Sequence, residues 1–147
     1  MAAGAVDPLG PDALDFWLGS WDLSWAGGGH GTNTIQRILE GRVIEESFDG
    51  RDDENSLIGR SLSVRSVADD RWRQTWVDST GAYLDFVAVE AGGRISFQRE
   101  NRVDGNAVLD RMVWLDVTLD AFRWQWQRSH DQGESWDVLW EIDYRRA

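Results

Sequence analysis

At 147 residues the chain suits one domain, and the absence of Cys excludes disulfides, thiolate metal sites and thiol catalysis. All 15 cationic side chains are Arg, which removes Schiff-base chemistry and the phosphate-binding Lys of a P-loop. A formal net charge of −11 repels phosphate backbones and anionic lipid, so neither nucleic acid nor a membrane surface is an expected partner.

Residues 1–10 read as a flexible leader with no basic region and no long apolar run. Neither a signal peptide nor a membrane span is expected, and a cytoplasmic location is. Residues 11–147 then form a single domain. Pro11–Leu18 reads as a short helical turn with Asp12 as its cap and Gly19 as its stop. Trp21, Leu23 and Trp25 alternate with Asp22 and Ser24 as a first strand, and Ala26–Gly31 is a flexible hairpin tip.

The next hairpin pairs Thr32–Leu39 with Arg42–Phe48 about Glu40-Gly41, which sets Arg37 opposite Ile44 and Ile35 opposite Glu46. The more apolar face, with Ile35, Leu39, Ile44 and Phe48, turns inward and takes Arg37 and Glu46 with it as diagonal neighbours. These two are either a structural ion pair or part of a ligand site. After a polar loop over 49–56, Ile58–Val67 alternates Ile58, Arg60, Leu62 and Val64 as another strand.

Trp72–Asp78 carries Trp72, Gln74, Trp76 and Asp78 on one face, and Arg73, Thr75 and Val77 on the other. An aromatic face that also holds an amide and a carboxylate suits the wall of a wet pocket, because buried polar groups must be paired, hydrated or used. Ser79-Thr80-Gly81 turns the chain so that Asp78 faces Ala82, and Leu84, Phe86 and Ala88 join the Trp face. Asp78 is read chiefly as a cap on this turn. Strands follow over Arg94–Asn101 and Ala107–Thr118. In the last two, Phe122, Trp124, Trp126 and Arg128 share one face, as do Trp136, Val138, Trp140, Ile142 and Tyr144. Arg128 falls near a strand end, at the rim.

About ten short strands in consecutive hairpins, with bulky inward faces, predict an all-β fold: one antiparallel up-and-down barrel with a short N-terminal helical turn. The chain's ten Trp residues either fill that barrel or wall a ligand cavity.

The stretch Phe16-Trp17-Leu18-Gly19-Ser20-Trp21 resembles the Gly-x-Trp entry of calycin-like barrels, the lipocalin and fatty-acid-binding group. More closely, Leu18-Gly19-Ser20-Trp21, Gln74-Thr75-Trp76-Val77-Asp78-Ser79 and Trp140-Glu141-Ile142-Asp143-Tyr144-Arg145 resemble a bacterial lipocalin-like family of uncharacterised function. That resemblance spans nearly the whole chain and implies a barrel with a cavity, with Trp21 closing one end. Related haem barrels use a proximal His, whereas His30 and His130 both fall in predicted turns. No cofactor is expected, and with only these two histidines no metal site either.

Two functions stay open. One is binding of a small hydrophobic or aromatic molecule by Arg37, Glu46, Gln74, Trp76, Trp124, Trp126 and Trp140. The other is a cyclase or isomerase acting on a hydrophobic natural-product intermediate by enclosure and acid–base chemistry, with Glu46 and Asp78 as candidate catalytic groups. The second follows from what lipocalin-like barrels are known to host. Monomer and homodimer are equally compatible with the sequence.

Overall fold

A computed structural model describes residues 7–147. Its elements are a 3-10 turn, Asp15–Trp17, then β1 (Gly19–Trp25), β2 (Gly29–Ile38), β3 (Val43–Asp49), β4 (Ile58–Ser66), β5 (Arg71–Asp78), β6 (Tyr83–Ala91), β7 (Arg94–Val103), β8 (Asn106–Leu115), β9 (Ala121–Ser129) and β10 (Asp137–Arg146). Each strand pairs antiparallel with the next, and β1 pairs with β10, so the sheet closes into a ten-stranded up-and-down barrel. Closure removes every free sheet edge.

One end of the barrel is plugged. Leu14 and Trp17 from the N-terminal segment pack with Trp21, Trp72, Phe97, Trp114 and Phe122. Two of the four plug indoles bring their N–H groups to backbone acceptors: Trp21 Nε1 donates to the Trp17 carbonyl at 2.9 Å, and Trp72 Nε1 to that of Gly10 at 2.8 Å. Those of Trp17 and Trp114 are buried without a partner among the described residues. Arg146 lies over the Trp21 ring at 4.2 Å and donates to the Leu18 carbonyl at 3.0 Å. Gly19 makes this approach feasible. Its φ is +130°, and a Cβ there would stand 2.3 Å from Arg146 Nη1.

The predicted β2–β3 register is observed, with Ile35 opposite Glu46 and Arg37 opposite Ile44. So is the Asp78 turn, continued from Val77 opposite Tyr83, which sends Leu84, Phe86 and Ala88 inward. Four expectations need correction. Leu39 lies in the β2–β3 turn at φ +51° and is exposed, because that turn takes four residues rather than two. In β4 the inward residues are Gly59, Ser61 and Ser63, while Leu62 and Val64 face solvent. Trp136 precedes β10 and stacks on Arg111 outside the barrel, and a bulge between Val138 and Trp140 leaves Val138 exposed. His30 lies in β2, pointing outward, rather than in a turn.

Of the expected leader, residues 1–6 lie outside the described residues. Residues 7–10 form a turn, with Leu9 against the core and Gly10 buried under Trp72. Pro11–Leu18 holds the expected turn, but Asp12 makes no side-chain cap.

Candidate functional site

Above the plug the barrel holds a cavity of about 160 Å³. Trp124 and Trp126 of β9, and Trp140 and Ile142 of β10, form one wall. Phe48 of β3, Trp76 and Asp78 of β5, and Leu84 and Phe86 of β6 form the other. Leu57, from the loop between β3 and β4, stands at the mouth. The rings meet edge to face: Phe48 with Trp76 at 5.9 Å, Trp124 with Trp140 at 6.0 Å, and Phe86 with Trp126 at 5.8 Å. This geometry suits ring quadrupoles and leaves indole faces turned to the cavity. Trp76, Trp124, Trp126 and Trp140 are only partly buried, so the cavity reaches solvent.

Local volume explains where Trp76 sits. Its cross-strand neighbours on β4 are small, and a Cβ on Gly59 would stand 2.1 Å from Trp76 Cη2. The indole therefore lies flat over bare backbone. Its Nε1 donates to Asp78 Oδ2 at 2.8 Å, while Asp78 Oδ1 accepts from the Thr80 N–H at 2.8 Å and the Thr80 hydroxyl at 2.6 Å. Partial burial pushes the Asp78 carboxyl up, but bonds from Thr80 and Trp76 outweigh it and hold the group below the usual range. Asp78 is thus an ionised turn cap that also orients Trp76, which makes it a poor proton donor.

The polar wall is built around Glu46, which is buried. Asn33 Nδ2 donates to its Oε2 at 2.6 Å, and Ser61 Oγ to its Oε1 at 2.7 Å. The same Asn33 nitrogen donates to the Tyr144 hydroxyl oxygen at 2.9 Å. Glu46 and Tyr144 both line the cavity. Burial pushes the Glu46 carboxyl up, and its bonds from Asn33 and Ser61 recover part of that shift. Burial, then the Glu46 charge, push the Tyr144 phenol well up against the opposing bond from Asn33. Tyr144 therefore stays protonated, and its O–H is a donor beside an acidic oxygen.

The structure brings Glu46, Trp76, Asp78, Trp124, Trp126 and Trp140 together around one cavity. Gln74 faces inward but lies deeper, donating to Ser63 Oγ at 2.9 Å, and does not line the cavity. Arg37 does not reach Glu46. It has the inward parity, but at the plugged end, where its guanidinium bonds Asp15 at 2.5 Å and the Gly41 carbonyl at 2.9 Å. Arg128 bonds Asp110, a fully buried carboxylate on the inner face of β8.

Asn33, Ser61 and Tyr144 are site residues that sequence reasoning missed. Asn33 and Tyr144 share the inward parity of Ile35 and Ile142, so their position was readable even though their hydroxyl and amide roles were not. Ser61 carried no such signal. The chain matches no family in a comparison with known protein families, and none of the curated proteins it was compared with is similar to it.

Proposed function

We propose that this barrel binds a small, single-ring aromatic or short apolar molecule, holding its body against Trp76, Trp124, Trp126 and Trp140 and one polar group at Glu46 and Tyr144. The observation that carries the reading is a cavity of about 160 Å³ with indole walls and a buried acid–hydroxyl pair on one side. A dry apolar cavity of roughly 150 Å³ is large enough for benzene, whereas drug-sized ligands need about 300 Å³ or more. Size thus favours one ring over a fused system. A calycin-type ancestry, suggested by Gly19-Ser20-Trp21, is consistent with an interior ligand and is part of the same proposal.

The second reading, an enzyme on the same barrel, is favoured by one observation. Glu46 and Tyr144 bond the same Asn33 nitrogen, at 2.6 and 2.9 Å, so a proton-transfer group and a hydroxyl donor adjoin one apolar cavity. Such a pair suits isomerisation or cyclisation, with Tyr144 polarising an oxygen and Glu46 moving a proton.

The test is native mass spectrometry of freshly purified protein, followed by titration with phenol and with a two-ring dye, read by intrinsic Trp emission. The proposal expects either a retained small molecule or saturable binding of phenol, and weaker binding of the dye. Failure of every single-ring probe to bind, with nothing retained, defeats it.

A further inference from the structure

On the cavity's β7–β8–β9 side, one row above Met112 and Trp126, three charged side chains cross the inner wall. Arg99 stands opposite Asp110, and Asp110 opposite Arg128. All three have the inward parity of core residues on their own strands: Phe97 below Arg99, Met112 below Asp110, and Trp126 below Arg128. None of the three lines the cavity, but two residues along a strand correspond to about 6.6 Å, so the row stands one side chain's length above it.

The charges in this row do not cancel. Arg128 takes Asp110 with two bonds, at 2.7 and 3.3 Å, and Asn101 Nδ2 adds a third at 2.9 Å. Asp110 is thereby satisfied. Arg99 reaches it only at 3.5 Å, and its buried Nε has no hydrogen-bond partner among the described residues. A guanidinium only 18% exposed with donors to spare is costly to leave without an acceptor. The β6–β7 ladder runs from Ala91 opposite Arg94 only to Val87 opposite Gln98. The next inward pair in that register would be Phe86 and Arg99, and Phe86 lines the cavity.

We propose that Arg99, backed by Arg128 and Asn101 through Asp110, is a carboxylate site, and that the ligand is a single-ring aromatic acid with its ring in the indole cavity. The inference rests on the cavity reading above and names the substrate class. Guanidinium forks match planar carboxylates, and charge-assisted bonds are the strong ones. The opposite wall, with Glu46 and Tyr144, suits a hydroxyl or carbonyl across the ring from the acid group. The chain's net charge of −11 makes the claim discriminating. Long-range electrostatics alone disfavour any anion, so a preference for an acid over its neutral isostere must come from a local cation.

The experiment compares 4-hydroxybenzoate with 4-hydroxybenzamide on the full chain, titrated by Trp emission at pH 7, in parent and in Arg99→Gln. The parent should prefer the acid. Arg99→Gln should lose about tenfold to a hundredfold for the acid, the usual effect of a charge-assisted bond, and stay within about twofold for the amide. Retained amide binding also reports that the variant is folded. Equal affinities in the parent, or equal losses for both probes, overturn the carboxylate site and leave the cavity intact. Displacement of 4-hydroxybenzoate by acetate at equal concentration likewise overturns it, since the ring would then play no part. Binding of neither probe overturns this inference, and the phenol titration then decides separately whether the cavity reading stands.

Discussion

Replacing Gly59 by Ala puts the account of the cavity to a test of sign. Gly59 lies inside β4 without a left-handed φ, so its backbone accepts any residue. Ala in a strand interior is ordinarily more stable than Gly by about 0.5–1 kcal/mol. The packing here predicts the opposite. The new methyl would stand 2.1 and 2.2 Å from two atoms of the Trp76 ring, well inside contact distance, and the backbone behind the ring leaves only the cavity as a place to go. Overpacking of this kind costs about 1–3 kcal/mol, and losing the Trp76–Asp78 hydrogen bond adds about 1 kcal/mol. The expected destabilisation is about 2–4 kcal/mol, a fall in Tm of roughly 4–16 °C for a domain of this size. An indole pushed toward a cavity of about 160 Å³ also takes space from it, so phenol binding should weaken. Urea denaturation and probe titration on one preparation give both numbers. A variant as stable as the parent, with unchanged affinity for the probe, refutes the placement of Trp76 over bare backbone.

Three further outcomes follow from particular contacts. Trp21→Ala removes a buried ring that holds both the Trp17 carbonyl and the Arg146 guanidinium, and should cost about 3–5 kcal/mol by denaturant titration. Glu46→Gln tests the buried carboxyl through pH. Because folding raises the Glu46 pKa above 4.5, its contribution to stability is fullest below that value and is lost as pH rises through the higher folded value. The stability of the parent relative to Glu46→Gln should therefore decline above pH 4.5 and then level, and a difference that is flat with pH contradicts a shifted Glu46. Gln74→Leu frees Ser63 Oγ but also removes the buried Gln74 Oε1, which has no partner among the described residues. These effects oppose each other, so stability should change by no more than about 1 kcal/mol and probe affinity should stay at the parent's value.

The strands were legible because period-two alternation of Trp, Phe and β-branched residues reports which face is inside, and turn residues report where each strand ends. Asp78 was legible for the same reason, since its sequence beside Ser79-Thr80-Gly81 is a local capping signal. What alternation does not report is height along the barrel axis. Arg37 and Glu46 share an inward parity and a hairpin, yet Arg37 leaves the barrel at the plugged end to meet Asp15, while Glu46 stays inside. Nor does a strand's own pattern report the volumes opposite it. Leu62 and Val64 of β4 look like core and face solvent, because Trp76, Gln74 and Glu46 from the flanking strands already occupy the interior beside Ser61, Ser63 and Gly59. Trp136 was misplaced by a bulge, a one-residue irregularity that carries no compositional mark. The Arg99–Asp110–Arg128 row went unread because its members belong to three strands, and only the register puts them in line.

The two ends of this barrel have been built to different specifications, and stability accounts for one of them. At the plugged end each ring has neighbours; the indoles of Trp21 and Trp72 have acceptors, and those of Trp17 and Trp114 have none among the described residues. At the other end small residues on β4 stand across from four large rings, and the difference in volume is the cavity. The volume of about 160 Å³ left open to solvent forgoes the apolar contacts that side chains there would make. Glu46 adds the cost of a carboxyl whose pKa burial has raised, and Arg99 that of a guanidinium with an unused donor. One Phe in place of Ser61 or Ser63 would fill part of that space with apolar surface. Costs of this kind beside a cavity are what a binding site requires, because a ligand that fills the volume and meets the polar groups offsets them together. Stabilisation by a ligand grows with its concentration over its Kd, so at equal concentration the acid that binds best should also raise Tm the most.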